Sequence, residues 1–228
     1  MTKRLFTDFD GPIMDVSERY FQVYGFCLAQ IKLAGQTVTP LSKSEFWALK
    51  RAQVPEKDIA IKSGLIEIGQ AAKFAQLRWS TVHTDPYFKY DGLIDGAIAA
   101  LEKAQNAGID LAVMTMRRVR ELEPVLLQYD LARFFPADRR FCLSNDYVKT
   151  GDTKDKPKLM ERAIATLPHA DLQWIAGDTE ADIEAGKQFG VTTIGILSGI
   201  RNETQLRTQA PDAIELHLMD AVELAISS

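Results

Sequence analysis

Asp8 and Asp10 close the first apolar run of the chain, in Arg4-Leu5-Phe6-Thr7-Asp8-Phe9-Asp10-Gly11-Pro12. A short strand delivers both carboxylates directly into a Gly-Pro turn. In an open α/β sheet, ligands bind at the carboxyl ends of strands. Two carboxylates at such a point can hold a hard cation through oxygen. With the cation damping their repulsion, one can attack an electrophile and the other can move protons. A calcium loop uses a similar start, but it needs a third acidic position and a spaced Glu. This chain has neither at that point.

A second acidic pair follows another buried run, in Trp174-Ile175-Ala176-Gly177-Asp178-Thr179-Glu180-Ala181-Asp182. On the opening turn of a helix, the spacing of Asp178 and Asp182 aims both toward one side. Capping accounts readily for one aspartate at a helix start and less well for two. Four carboxylates at two strand ends repel strongly unless a cation lies among them. Between the pairs, Ala112-Val113-Met114 ends in Thr115. Its hydroxyl serves either a phosphate oxygen or the cap of the next helix. Lys154, Lys156 and Lys158 surround Pro157, which suits the first turn of a helix. A lysine there can face bound phosphate as a compact charge, or all three can be a solvated patch.

Elements that could position these groups are legible in the hydrophobic period. Residues 3–9 read as a buried strand. From Ser17 to Lys89 the period is helical: Tyr20, Tyr24, Cys27, Leu28 and Ile31 share a face, and Gly35 ends the run. Ser42-Lys43-Ser44-Glu45 reads as a capping box, Pro55-Glu56-Lys57 opens a short helix, and residues 65–82 read as a longer one. After Asp91, strands at 109–114, 140–143, 173–176 and 191–197 alternate with helices at 93–107, 119–129, 158–167 and 180–189. A helix near 202–209, a strand near 213–216 and a terminal helix from Leu218 follow. This alternation predicts βαβ units and a parallel sheet. The expected organisation is an α/β core, residues 1–16 and 90–228, with an all-helical cap, residues 17–89, inserted after the first strand. A cap rising from that edge can close over the acids.

The bulk composition agrees with an ordinary globular protein: 228 residues, 46% hydrophobic and 25% charged, with a formal net charge of −4. No basic block points to nucleic acid, and no apolar run approaches the length of a membrane span. Without a secretory h-region, a cytoplasmic location is expected, with Cys27 and Cys142 as buried thiols. His83, His169 and His217 show no spacing of a metal cluster and read as incidental.

Taken together, Asp8-Phe9-Asp10-Gly11, Thr115, a lysine near Pro157, and Gly177-Asp178 with Asp182 resemble the four motifs of the haloacid dehalogenase (HAD) superfamily. The inserted helices resemble the cap of its phosphoglycolate phosphatase and β-phosphoglucomutase branch. The resemblance implies a Rossmann-like parallel sheet and a phosphatase using Mg²⁺. It implies Asp8 as nucleophile and Asp10 as general acid and base. Mg²⁺ would be held by Asp8, the Asp10 carbonyl, Asp178 and Asp182, and the phosphoryl group by Thr115 and Lys156. Lys156 is preferred over Lys154 and Lys158 for its Lys-Pro context. Asp10 separates phosphoryl transfer from dehalogenation, which needs no acid for the leaving group, and it needs a raised pKa to act as that acid near neutrality. Family members usually have Thr where this chain has Pro12, a change expected to be tolerated.

For the leaving group, Arg117 is the stronger expected contact, with Lys50, Arg51 and Lys62 as cap candidates. The expected partner is a small phosphorylated metabolite, with the chain a monomer or homodimer. Alternatives are a phosphomutase, a phosphonate hydrolase with a Schiff-base lysine (Lys50 or Lys62), or a catalytically silent binding protein.

Overall fold

The structure is a computed structural model that describes residues 1–228. Its strands are β1 (Lys3–Thr7), β2 (Met14–Asp15), β3 (Gly92–Leu93), β4 (Asp110–Arg118), β5 (Arg140–Leu143), β6 (Leu172–Gly177), β7 (Thr192–Ile196) and β8 (Ala213–Glu215). Its helices are α1 (Ser17–Ile31), α2 (Lys43–Arg51), α3 (Glu56–Lys62), α4 (Gln70–Thr81), α5 (Asp85–Phe88), α6 (Ala97–Asn106), α7 (Val119–Gln128), α8 (Asp152–Thr166), α9 (Glu180–Gln188), α10 (Glu203–Thr208) and α11 (Leu218–Ser227).

Six strands form one parallel sheet in the order β5-β4-β1-β6-β7-β8. The chain adds strands to one side of β1 and then to the other, so the topological switch lies between β1 and β6. That is where a crevice opens outside the strand ends, and both acidic pairs follow these two strands. Alternate residues serve opposite faces, as the pleat requires. Leu5, Leu111, Val113 and Trp174 pack in one apolar cluster with α6 and α11. Phe6, Ala112, Met114 and Ile175 pack in another with α8 and α9. Burial on both faces explains why the strands read as continuous apolar runs.

Five helices lie between β2 and β3 and have their own core, including Val23, Tyr24, Phe46, Ile59 and Phe74. The Tyr24 hydroxyl bonds the Ser63 hydroxyl at 2.7 Å and accepts from Leu41 N–H at 2.8 Å, so its polar end is satisfied inside. No helix is long and apolar enough to cross a membrane. Cys27 and Cys142 are buried free thiols.

Several boundaries differ from the sequence expectation for local reasons. The helix expected over 65–82 begins at Gln70, because Gly69 adopts a left-handed φ of 81° at its start. The helix expected from residue 93 begins at Ala97, because Gly92–Leu93 pairs antiparallel with Met14–Asp15. The helix carrying the lysines begins at Asp152 instead of Lys158, so Pro157 is inside it. Asp155 causes the early start: its carboxylate accepts from Thr150 and Gly151 N–H at 2.7 and 3.2 Å and fixes the entering chain.

Candidate active site

The turn after β1 presents the first pair. Asp8 N–H still bonds in the sheet, to Ala176 O at 2.8 Å, and Asp8 Oδ1 accepts from Phe9 N–H at 2.7 Å. Gly11 has φ of 99°, a region that favours glycine. The turn is closed by N–H groups of Gly11, Ile13 and Met14. Pro12 has no N–H, and none of these bonds needs one from it. Ser198 Oγ donates to Gly11 O at 2.8 Å from the loop after β7.

Asp178 and Asp182 come from the β6–α9 junction. Asp182 is the N3 member of a capping box: its Oδ2 accepts from Thr179 N–H at 3.1 Å and Thr179 Oγ1 at 2.7 Å. Its other oxygen faces Lys156 Nζ. Capping and site-facing roles are therefore carried by different oxygens of one side chain. Asp178 Oδ2 accepts from Ile200 N–H at 2.6 Å. A Cβ on Gly11 or on Gly199 would overlap the Asp178 carboxylate, so these two glycines form its cradle. The Ser198-Gly199-Ile200 loop is barely legible in the sequence. Its only signal there is a Ser-Gly pair just past an apolar run.

Lys156 is fully buried and meets Asp8 Oδ2 at 2.8 Å. The other two lysines are exposed, and Lys158 pairs with Asp155 at 3.0 Å. Geometry thus selects Lys156. Thr115 reaches the site through an irregularity in β4. Between Met114 and Arg118 the chain takes four steps while β5 takes two, from Phe141 to Leu143, so residues 115–117 leave the ladder. Thr115 Oγ1 accepts from Arg117 N–H at 3.2 Å. A cavity of about 90 Å³ is lined by Asp8, Asp10, Thr115, Lys156 and Asp178, together with Tyr20 and His83 from the helical insert. His83 is therefore not incidental; an isolated histidine at a helix end gives no sequence signal of such a place.

One ligand oxygen from each of Asp8, Asp178 and Asp182 lies within 4.8 Å of the others, all on buried side chains. Three carboxylates against one lysine leave two negative charges. Burial pushes the Asp8 carboxyl well above the ordinary range, and Asp182 and Asp178 add to it against the pull of Lys156. Burial and Asp182 likewise push Asp178 up to about 7. An oxygen-only, doubly negative, cradled cluster fits a small hard divalent cation.

Asp10 stands in different company. Arg117 donates to its Oδ1 through Nε at 2.9 Å and Nη2 at 2.6 Å, and Arg19 Nη2 donates to its Oδ2 at 3.1 Å. Both arginines also reach Asp91, Arg19 through Nε at 2.9 Å. The result is a closed ring of two acids and two bases joining both crossings into the helical insert. Burial acts to raise the Asp10 pKa, but Arg117 and Arg19 together outweigh it and hold the group below the ordinary range. The expectation of a raised Asp10 pKa is corrected here: the arginines keep it ionised. Asp91, more deeply enclosed, is pushed up to about 6 by burial.

Arg117, expected as a leaving-group contact, lines the cavity but commits Nε and Nη2 to the two aspartates, while its buried Nη1 has no hydrogen-bond partner. Lys50 and Arg51 do not line the cavity. Lys50 pairs with Glu56 inside the insert. Arg51 Nη2 instead donates to Leu197 O at 2.7 Å and Arg201 O at 3.3 Å, docking α2 on the loop after β7. Lys62 is exposed and away from the cavity.

A model of haloacid dehalogenase-like hydrolases matches residues 2–190. No curated protein matches the chain by sequence. Among solved structures, a candidate phosphatase from Clostridium difficile superposes with a TM-score of 0.72 at 17% identity, over 98% of each chain. A predicted phosphoglycolate phosphatase from Haemophilus somnus gives a TM-score of 0.61 at 15% identity, over 98% of this chain and 97% of its own. A candidate β-phosphoglucomutase from Thermotoga maritima gives a TM-score of 0.59 at 20% identity, over 98% of each.

Proposed function

This chain belongs to the haloacid dehalogenase-like hydrolases, and from that premise we propose that it is a Mg²⁺-dependent phosphatase of small phosphomonoesters. The observation that carries the reading is Asp8 itself: a buried carboxylate facing Lys156 and two further aspartates, with a second acid two residues on. A dehalogenase has no use for that second acid. Likeness in fold to a predicted phosphoglycolate phosphatase supports a small substrate.

Asp8 attacks phosphorus, the ester P–O bond breaks, and the phosphoryl group rests on the Asp8 carboxylate. The departing oxygen takes a proton that Asp10, ionised at rest, first accepts from solvent as one of its arginine contacts loosens. Asp10 then removes a proton from water, which attacks the phosphoryl group and frees Asp8. Lys156 and Thr115 hold phosphoryl oxygens as charge shifts among them. Asp8, Asp178 and Asp182 would hold Mg²⁺, which supplies positive charge against the repulsion between carboxylate and phosphate. Asp10, ionised between its arginines, is set for the water step. Delivering a proton to the leaving oxygen requires it to loosen one of those contacts.

The test is phosphate release from a panel of small phosphomonoesters, with and without Mg²⁺, beside Asp8→Asn. Turnover that needs Mg²⁺ and falls at least ~10³-fold in the variant is expected. Release unaffected by Asp8→Asn would defeat the reading. A requirement for a bisphosphate activator would redirect it to a mutase.

A further inference from the structure

The four side chains of the ring are unequally enclosed. Asp10 is 25% exposed, against 2% for Asp91, 1% for Arg117 and 0% for Arg19. Each arginine divides itself between the two acids. Arg117 Nη2 donates to Asp10 Oδ1 at 2.6 Å and also to Asp91 Oδ2. Arg19 donates through Nη2 to Asp10 Oδ2 at 3.1 Å and places Nε 2.9 Å from Asp91 Oδ1. Asp10 and Arg117 line the cavity, and Arg19 and Asp91 do not. Whatever Asp91 does for the reaction therefore passes through the arginines.

Asp91 is the anchored acid of the two. Its N–H donates to Phe88 O at 3.0 Å, and the next residue, Gly92, pairs with Asp15 in the β2–β3 ladder. Phe88, three residues earlier, serves both arginines as a platform. Its ring centroid is 4.9 Å from the guanidinium carbon of Arg19 and 5.2 Å from that of Arg117. Phe9 meets Arg117 as well, at 5.1 Å. A guanidinium over an aromatic face is stabilised without spending a donor. One short segment, residues 88–91, thus supplies both the platform and the second carboxylate.

Proton delivery requires Asp10 to turn away from at least one arginine. With Asp10 as their sole anion, that motion would leave buried guanidiniums uncompensated, which is strongly unfavourable. With Asp91 in place, a carboxylate stays on both arginines throughout, and the motion exchanges hydrogen bonds without stranding a charge.

We infer that Asp91 is a positioning residue for the acid step: it retains Arg19 and Arg117 while Asp10 lets go, so that the Asp10 carboxyl can turn to the leaving oxygen and return. The ester P–O bond breaks, the proton passes from Asp10 to the departing oxygen, and Asp91 exchanges no proton. The inference rests on the phosphatase reading and adds to it a residue outside the cavity. A purely structural tie between insert and core would hold the ring equally well, but it would not discriminate between esters by their leaving groups.

The test compares acetyl phosphate with ethyl phosphate. The two are similar in size, but acetate leaves as a stable anion, whereas the ethyl oxygen must be protonated as it leaves. Their kcat/KM values, measured with Mg²⁺, cover P–O cleavage and exclude the later water step. Asp91→Asn is expected to lose roughly 10- to 100-fold more on ethyl phosphate than on acetyl phosphate, part of the roughly 10²- to 10⁴-fold that a positioned acid supplies. Asp91→Glu, which restores the charge on a longer arm, should recover part of that difference. Phe88→Leu keeps all four charges and removes the platform, so it should shift the ratio the same way by a smaller factor. It decides the matter should the Asp91 variants fail to fold. Equal losses on both esters, or a ratio unchanged in the folded variants, overturn the inference and leave the phosphatase reading intact. Release from neither ester by wild type removes both.

Discussion

Asp8 and Asp10 are two residues apart at the tip of one strand, and their surroundings are electrically opposite. Around Asp8, three buried carboxylates share one lysine, and burial with mutual repulsion drives Asp8 and Asp178 toward protonation. Around Asp10, two aspartates alternate with two arginines, and the ring is balanced by itself. The unbalanced side is the one that needs an ion. The balanced side needs none and keeps its acid ionised at all ordinary pH. Residue type alone does not separate the two roles; the partners do.

Among changes that spare Asp8 itself, breaking the balanced side should have the largest effect. Arg117→Lys keeps a positive charge but removes the fork that spans Asp10 and Asp91. Misplacing Asp10 by a fraction of a bond length is expected to lower kcat by roughly 10- to 100-fold. The pH profile gives the sharper reading. In wild type the depressed Asp10 pKa keeps its base form down to strongly acid pH, so it contributes no acid limb near neutrality. With one arginine contact weakened, burial raises the pKa and the limb moves to higher pH. A profile that keeps its shape would show that the ring does not set the charge of Asp10.

The unbalanced side should reveal itself in stability. A carboxyl raised to about 7, as Asp178 is, binds its proton more tightly in the folded chain than in the unfolded one. The stability this provides is full below the ordinary carboxylate pKa and is lost as pH rises through about 7. Mg²⁺ takes the proton's place. The gain in Tm on adding Mg²⁺ should therefore be small at pH 5 and grow toward pH 7.5. At a hundredfold excess over Kd the binding is worth about 2.7 kcal/mol, or roughly 5–10 °C for a chain of this length. Asp178→Asn should remove most of the gain. A gain that does not change with pH would mean that the cluster is already ionised without metal.

How much of this was legible beforehand follows the range of the interactions. The parallel core, the helical insert and the four motif positions are signalled by local period and by acids at strand ends. The arginine ring is not, because Arg19, Asp91 and Arg117 are far apart in the chain: Arg19 and Asp91 alone carry no signal, and Arg117 reads as a leaving-group contact. Asp155 gives no signal either; its bonds depend on a loop whose path no propensity fixes. Asp182 was visible as an acid, but only the structure shows one oxygen capping a helix while the other faces Lys156. Cap cations were the least legible of all. Lys50 and Arg51 are adjacent on α2, yet one closes an ion pair within the insert and the other grips the core.

That last pair supplies the smallest expected effect and separates docking from recognition. Arg51 reaches across from the insert to two carbonyls, Leu197 O and Arg201 O, while Asn202 N–H donates back to Arg51 O at 3.0 Å. Leu197 and Arg201 bracket the loop whose Gly199 and Ile200 hold Asp178. Arg51→Ala removes the side-chain bonds and keeps the backbone one, a loss of about 1 kcal/mol and roughly 2–4 °C in Tm. If Arg51 only docks the insert, KM should shift by a similar small factor for charged and uncharged esters, because the change acts on how the two parts sit together. If Arg51 contacts the leaving group, KM should rise for a carboxylated ester alone while Tm stays in place. Measuring both on one variant decides whether this arginine belongs with the ring that holds the acid or with the surface that reads the substrate.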